Sequence, residues 1–269
     1  MANPFLNDKA MSEASQAGWA APEPSTRVGR STTIDDGPIS AWAPRTMTVN
    51  GTITASGVMM VLLLASAAVG WMVAPTYADG TTGLPAMALL GILVGFGCAI
   101  AVHFKPLMSK FLGPIYAVAE GFFLGAISKA YESYQSGIVI QAIGATLAVF
   151  AVMLFLYKSR IIKVTDRFRR IIVMATLGLM LFYLVSFVFS IFGHTPSFIH
   201  QPTGMGIAFS LFAAGLAAMN LALDFDFIER GSKANLPKGM EWYAAFGLLI
   251  TLVWLYLEML RLLSKLNRR

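Results

Sequence analysis

Residues 220–230 read NLALDFDFIER and close an apolar run that begins near Gly204. Two aspartates, Asp224 and Asp226, therefore lie inside or at the end of a stretch that is hydrophobic enough to enter a membrane. A carboxylate at the centre of a bilayer helix costs roughly 2.5–3.5 kcal/mol on insertion scales, so its position there is seldom accidental. We interpret the run as a membrane-spanning helix and its aspartates as candidate functional groups.

The composition of the whole chain is that of a membrane protein. Of its 269 residues 57% are hydrophobic and only 13% are charged, whereas a soluble domain carries about 25% charged residues. Seven apolar segments each approach the ~20 residues that cross a bilayer, near 54–74, 84–103, 111–130, 137–157, 171–193, 204–228 and 242–262. Because backbone groups find no water in lipid, every segment should be helical. The sequence predicts an all-α polytopic membrane protein with a seven-helix transmembrane bundle in residues 51–269.

The first 50 residues differ from the rest of the chain. Residues 1–50 are rich in Ala, Ser, Thr, Pro and Gly, and they show no sustained helical or strand period. Such a composition is typical of a disordered segment. We predict a disordered cytoplasmic tail in front of the transmembrane domain.

Lysines and arginines are concentrated in alternate loops. They occur in loops 104–110, 158–170 and 229–241, whereas the opposite loops 75–83, 129–136 and 194–203 hold only Lys129. Cytoplasmic loops carry such an excess of basic residues. We therefore expect the basic loops and the N-terminus on the cytoplasmic side of the cell (inner) membrane. The formal net charge of +6 then reflects membrane topology and does not indicate a nucleic-acid partner.

The C-terminus does not fit this pattern. If the seventh segment spans fully, four basic residues lie on the outer side: Arg261, Lys265, Arg268 and Arg269. Either the tail departs from the rule, or the last segment is re-entrant, or residues 257–266 continue as an amphipathic helix along the inner interface. The sequence leaves these alternatives open.

Helical geometry separates the two aspartates. Asn220 and Asp224 are four residues apart and share one face of a helix, whereas Asp226 points roughly 200° away from Asp224. We predict that Asp224 faces the bundle interior and that Asp226 reaches the interface or a basic loop.

Other polar residues also lie at membrane depth. Glu120 is near the middle of segment three, where it lines a cavity or bonds across an interface. His103 is at the end of segment two, and Glu258 with Arg261 is expected as an interfacial pair near the end of segment seven. Small residues at four-residue spacing predict close helix packing, in the pairs Gly91 and Gly95, Gly121 and Gly125, and Ala214 and Ala218.

The pattern favours a proton-linked function over catalysis. Burial without a nearby cation raises the pKa of a carboxyl towards physiological pH, and intramembrane carboxyls commonly serve as proton-linked gates or relays. The chain has no Gly-x-Ser-x-Gly, no HEXXH and no phosphate-cradling loop, and its three histidines are scattered at 103, 194 and 200. We predict no catalytic residues, no metal site and no cofactor.

Four short sequences together resemble the Bax inhibitor / YccA (TMBIM) superfamily, most closely its bacterial Bax inhibitor-like branch. They are YAVAEGFFLG at 116–125, LDF at 223–225, MEWY at 240–243 and LEMLRLL at 257–263. The resemblance covers about residues 46–266, and its specificity comes from the order of these motifs on seven helices.

The resemblance implies six helices in two layers around a central seventh helix, and a pH-sensitive calcium leak gated by two aspartates. Asp224 matches the aspartate of helix six, but the position on helix seven is Thr251, which cannot share a proton. Glu120 or Asp226 then substitutes, or Asp224 titrates alone. A basic residue on helix two that contacts the aspartates in some relatives has His103 as its nearest candidate.

Two functions from different classes remain. The first is a cation leak, with calcium ions or protons as partners and Asp224 as the pH sensor. The alternative is a membrane-embedded adaptor that regulates a membrane protease or a stress response, as the resemblance also implies. The long tail favours the second function and the buried carboxylate favours the first.

Overall fold

A computed structural model describes residues 46–77, 82–83, 85–192 and 201–268. Within these residues the chain forms seven α-helices that are long and apolar enough to cross a membrane, which confirms the predicted all-α fold. They are α1 (Val49–Val73), α2 (Ala86–Phe104), α3 (Ser109–Tyr134), α4 (Ile138–Lys158), α5 (Asp166–Ile191), α6 (Gly204–Lys233) and α7 (Met240–Asn267). A single 3₁₀ turn, Pro106–Met108, joins α2 to α3.

Several helices extend beyond their apolar segments into the polar loops. Helix α5 begins at Asp166 because the Thr165 hydroxyl accepts the Phe168 N–H at 3.2 Å and caps the first turn. Helix α6 continues past the predicted end at 228 to Lys233. Lys129 lies within α3 rather than in a loop, and its ammonium group donates to the Ala74 carbonyl at 2.6 Å. Hydropathy marks the part of a helix in lipid, whereas caps and hydrogen bonds set its ends.

The folded domain starts before residue 51. Thr46 pairs with Pro237 in an antiparallel bridge, and Met47 is 1% exposed. Residues 46–50 therefore belong to the bundle rather than to the predicted tail. The rest of that prediction, residues 1–45, lies outside the described residues.

Helix α7 is the centre of the bundle. Every residue from 243 to 249 is buried, so that this part of the helix is enclosed around its whole circumference. It packs against α1, α3, α4 and α6. A helix that is apolar on all sides belongs in the core, and this arrangement agrees with the expected central last helix.

Helices α1 and α3 approach each other closely through glycines. A Cβ on Gly121 would overlap the Leu63 carbonyl, and one on Gly125 would overlap the Ala67 carbonyl. On α1, a Cβ on Gly70 would likewise overlap the Phe122 carbonyl. The prediction that the Gly121 and Gly125 pair serves helix packing is confirmed, because a larger residue would force the backbones apart.

Helices α6 and α7 run antiparallel over their full length. At one end the Lys265 ammonium group donates to the Gly206 carbonyl at 2.9 Å, and at the other the rings of Phe227 and Tyr243 meet at 5.9 Å. Helix α7 is thus one continuous helix that is long and apolar enough to cross a membrane. Its pairing with α6 at both ends favours a full span over a re-entrant segment, and the side on which the C-terminus lies stays a prediction.

The α1–α3 contact makes a testable prediction. Gly125→Ala should lower the midpoint of thermal unfolding in detergent, because overpacking a tight contact costs about 1–3 kcal/mol. Gly144→Ala on α4 is the matched control, since nothing lies within 4 Å of its Cβ position. Equal midpoints for the two variants would contradict the close packing.

Candidate functional site

Asp224 lies in the most enclosed layer of the bundle. Its side chain is 0% exposed, and residues 220–225 of α6 are buried without interruption. Counting from Gly206–Lys265 places Asp224 level with Gly247 of α7, and counting from Phe227–Tyr243 places it level with Phe246; both lie inside the equally buried stretch 243–249. The carboxylate is therefore screened from water and lipid by protein on all sides.

Asn220 and Thr251 lie one helical turn further along. Asn220 is 2% exposed, and its amide donates to the Thr176 hydroxyl of α5 at 2.9 Å and to the Leu216 carbonyl at 2.8 Å. The α6–α7 register places Thr251 level with Asn220. The buried Thr251 hydroxyl donates to the Gly247 carbonyl of its own helix at 3.1 Å. Polar groups on three helices thus adjoin the Asp224 layer.

Asp226 lies in an ion-pair network at the α6–α7 loop end. Its carboxylate accepts from the Arg169 guanidinium of α5 at 2.9 Å and from Arg230 at 2.8 Å. Arg169 is a residue of the basic loop 158–170 in the sequence. Two cations compensate this carboxylate, which contrasts with the enclosure of Asp224.

Glu229 forms a second network at the same end. It accepts from the Tyr157 hydroxyl at 2.5 Å, from Arg160 at 2.7 Å and from Lys233 at 2.6 Å. Together with Asp226, it joins the ends of α4, α5 and α6. Sequence reasoning did not single out Glu229, although its spacing of four residues from Lys233 is a recognisable helical pair.

Glu120 and His103 lie elsewhere in the bundle. Glu120 is half-buried at the α2–α3 interface, where one carboxylate oxygen lies 2.8 Å from the Cβ position of Gly95. His103 is exposed near the end of α2, and its ring meets Phe104 edge to face at 5.5 Å. The structure therefore does not bring Glu120 into the α6–α7 layer of Asp224.

Glu258 is buried within the protein. It is 1% exposed, and one carboxylate oxygen accepts from Arg261 at 2.7 Å, from the Tyr183 hydroxyl at 2.8 Å and from the Trp254 indole at 3.3 Å. Arg261 also donates to the Tyr183 hydroxyl at 2.9 Å. The expected Glu258–Arg261 pair exists, but it joins α5 to α7 inside the protein.

Lys265 extends the Glu258 cluster towards α6. It is 3% exposed, and its ammonium group donates to the Ser210 hydroxyl at 2.8 Å as well as to the Gly206 carbonyl. The sequence interpretation assigned Lys265 only to the charged C-terminus. Within the described residues, no group of three or more His, Cys, Asp or Glu side chains converges in a way that could hold a metal ion.

One face of α5 carries a contact to each polar layer. Arg169 binds Asp226, Thr176 binds Asn220, and Tyr183 binds Glu258. These α5 residues are seven apart, so they lie on one face at intervals of about 10 Å along the helix axis. This seven-residue spacing is the signal in the sequence that could have identified Thr176 and Tyr183.

The fold and the enclosed polar layer define a multi-pass helical membrane protein. The chain matches the Bax inhibitor 1 like family over residues 3–268 and belongs to that family. The match begins in the tail and so extends beyond the 46–266 covered by the motifs. Comparison with curated proteins finds no match.

The Tyr183 contact makes a second prediction. Tyr183→Phe removes a donor to the buried Glu258 and an acceptor for Arg261, so it should destabilise the protein by about 1–3 kcal/mol. The measurement is the unfolding midpoint in detergent. Tyr134→Phe is the control, because that side chain is 65% exposed. An unchanged midpoint for Tyr183→Phe would refute the structural importance of the α5–α7 contact.

Proposed function

We propose that the protein is a proton-gated cation leak, with calcium as the expected ion and Asp224 as the proton-sensing gate. The observation that carries this proposal is the complete burial of Asp224 in the layer where α6 and α7 are both enclosed. An ionised carboxylate costs free energy in such surroundings, and protonation removes the charge. The two protonation states therefore favour different packing of α6 against α7, which is the requirement for a gate.

The polar groups near Asp224 suit a cation. Asn220, Thr176 and Thr251 supply amide and hydroxyl oxygens next to the carboxylate layer. Hard cations such as calcium prefer oxygen ligands of this kind. An ion that crosses the layer would exchange water for these oxygens once α6 and α7 separate. Calcium is here a permeant ion and not a resident cofactor.

We assign proton sensing to Asp224 alone. Thr251 stands where the resemblance implies the second aspartate, and its hydroxyl does not ionise at neutral pH. Asp226 is compensated by Arg169 and Arg230, and Glu120 faces α2. These contacts favour a single titrating carboxylate over a shared-proton pair. The excess of basic residues places the α6–α7 loop end of the gate in the cytoplasm.

Asp224→Asn should abolish the pH dependence of the leak. Asparagine is neutral at every pH and has nearly the shape of a protonated aspartate, so the variant should show at all pH values the flux that the unmodified protein shows in acid. The measurement is calcium-dye fluorescence in liposomes that contain the purified protein, over a pH series.

Asp166→Asn is the matched control for this experiment, because that carboxylate is 85% exposed at the start of α5. Its pH profile should equal that of the unmodified protein. The mechanism is wrong if no flux occurs at any pH, or if Asp224→Asn retains the original pH dependence.

A second candidate function is an adaptor that regulates a membrane protease or a stress response. It is favoured by the family match, which begins at residue 3 and so includes the tail. Deletion of residues 1–45 should then abolish the cellular function while leaving flux in liposomes intact. Normal stress survival of cells that carry only the truncated protein would argue against the adaptor.

A further inference from the structure

The three residues before α1 are bound to the α6–α7 loop end; we call Thr46–Thr48 the strap. Thr46 forms an antiparallel bridge with Pro237, and the Met47 N–H donates to the Leu236 carbonyl at 2.6 Å. The backbone N–H and the hydroxyl of Thr48 both donate to one Glu241 carboxylate oxygen at 3.0 Å. Each residue of the strap thus has its own contact with the loop or with the first turn of α7.

The Met47 side chain fills the end of the bundle below the gate. It is 1% exposed and belongs to one apolar cluster with Phe227, Leu236 and Tyr243. Its sulfur lies 2.9 Å from the Cβ position of Gly231, so that only a glycine leaves room for it at this site.

The strap and Asp224 are close to one another along α6. Asp224, Phe227 and Gly231 follow at spacings of three and four residues and share one helix face. Gly231 is seven residues beyond Asp224, which is about 10 Å along the axis. The Phe227 and Tyr243 rings lie between the two levels. Met47 therefore lies at this end of the bundle, about 10 Å beyond the Asp224 layer on the same face of α6.

Thr46 and Met47 can leave without unwinding a helix, whereas Thr48 stays as the cap of α1. Thr48 is the N-cap of α1, and its hydroxyl accepts the Gly51 N–H at 2.9 Å. Met47 and Thr46 precede the cap and contribute no hydrogen bond within α1. Their attachment is local, through the α6–α7 loop and the pocket at Gly231. Residues 1–45 join the strap at Thr46, so a load or a partner on that segment acts directly on Met47.

We propose that the strap is a releasable closure of the α6–α7 loop end and that it regulates the cation leak. The inference rests on the proposed function for its effect on flux, whereas the movement of the strap is a property of the fold. Withdrawal of Met47 opens the end of the bundle, and the gate at Asp224 controls the layer above it.

The first test fixes the strap by a disulfide. Thr46→Cys with Pro237→Cys, in a Cys98→Ala background, joins bridge partners whose Cα atoms lie roughly 4.5–5.5 Å apart, within the range a disulfide spans. Oxidation should reduce the acid-triggered calcium flux about tenfold or more, as expected for a state that no longer opens. Reduction should restore the flux.

The matched control joins the other isolated bridge, through Thr76→Cys with Thr82→Cys in the same background. That pair lies between α1 and α2, and oxidation should leave its flux unchanged. Equal flux through the oxidised and reduced strap pair would overturn the proposal.

The second test follows the strap without any flux. Met47→Cys should react slowly with a membrane-impermeant maleimide. The reference is Lys238→Cys, an exposed position on the α6–α7 loop, which should react faster. Adding Gly51→Ala should accelerate the reaction at residue 47 about fivefold or more, because its Cβ would overlap the Glu241 carboxylate that holds Thr48. Gly57→Ala is the control, since nothing lies within 4 Å of its Cβ position.

The two measurements separate the possible failures. A labelling rate that is unchanged by Gly51→Ala overturns the releasable strap, whatever the flux. A higher labelling rate with no flux in any variant at any pH supports the movement of the strap but refutes the cation leak. A higher labelling rate together with flux that oxidation abolishes supports both.

Discussion

The antiparallel register of α6 and α7 determines where every polar group of the bundle lies. It is fixed by Lys265 with Gly206 at one end and by the Phe227–Tyr243 ring pair at the other. Because residues 220–225 of α6 and 243–249 of α7 are enclosed, a shift by one turn would move Asp224 out of its layer. The same register places Thr251 beside Asn220, one turn away from the carboxylate.

Charge is compensated differently along the bundle. At the loop end, Asp226 and Glu229 pair with the cations of α5, α6 and the basic loop. At the other end, Glu258 pairs with Arg261 and Tyr183. Removing one partner of a buried pair is strongly unfavourable, so the Arg169–Asp226 pair holds α5 to α6 and the Glu258 cluster holds α5 to α7, whereas the cations that meet Glu229 are largely exposed. The middle layer contains the fully buried Asp224, and its charge is the one that we expect to change.

The described arrangement corresponds to a closed state under the proposed function. The two proposals give two closures in series. One is the enclosed Asp224 layer, and the other is the Met47 side chain of the strap, about two helical turns beyond it. The Asp224 closure changes when the carboxylate is protonated, whereas the strap moves when a load or a partner acts on residues 1–45. A leak with two closures of different chemistry conducts only when both are released. The proposal therefore joins the two candidate functions, since a partner of the tail would also control the leak.

The sequence by itself determined the class of protein and the number of helices, because apolar segments of about 20 residues allow one outcome in lipid. It also placed Asp224 and Asp226 on different faces of one helix, because helical periodicity depends only on neighbouring residues. The glycine pairs on α2 and α3 predicted close helix packing, because their four-residue spacing is also a local pattern.

Only the tertiary structure decided which partners those residues meet. Helix order and register, which hydropathy does not encode, set these contacts. They pair Arg169 with Asp226, bury Glu258 and Lys265, and keep Glu120 apart from Asp224. The strap at Met47 also arises from contacts between segments nearly 200 residues apart. Local pattern thus determined the helices and their faces, whereas the non-local packing of α6 on α7 determined the site.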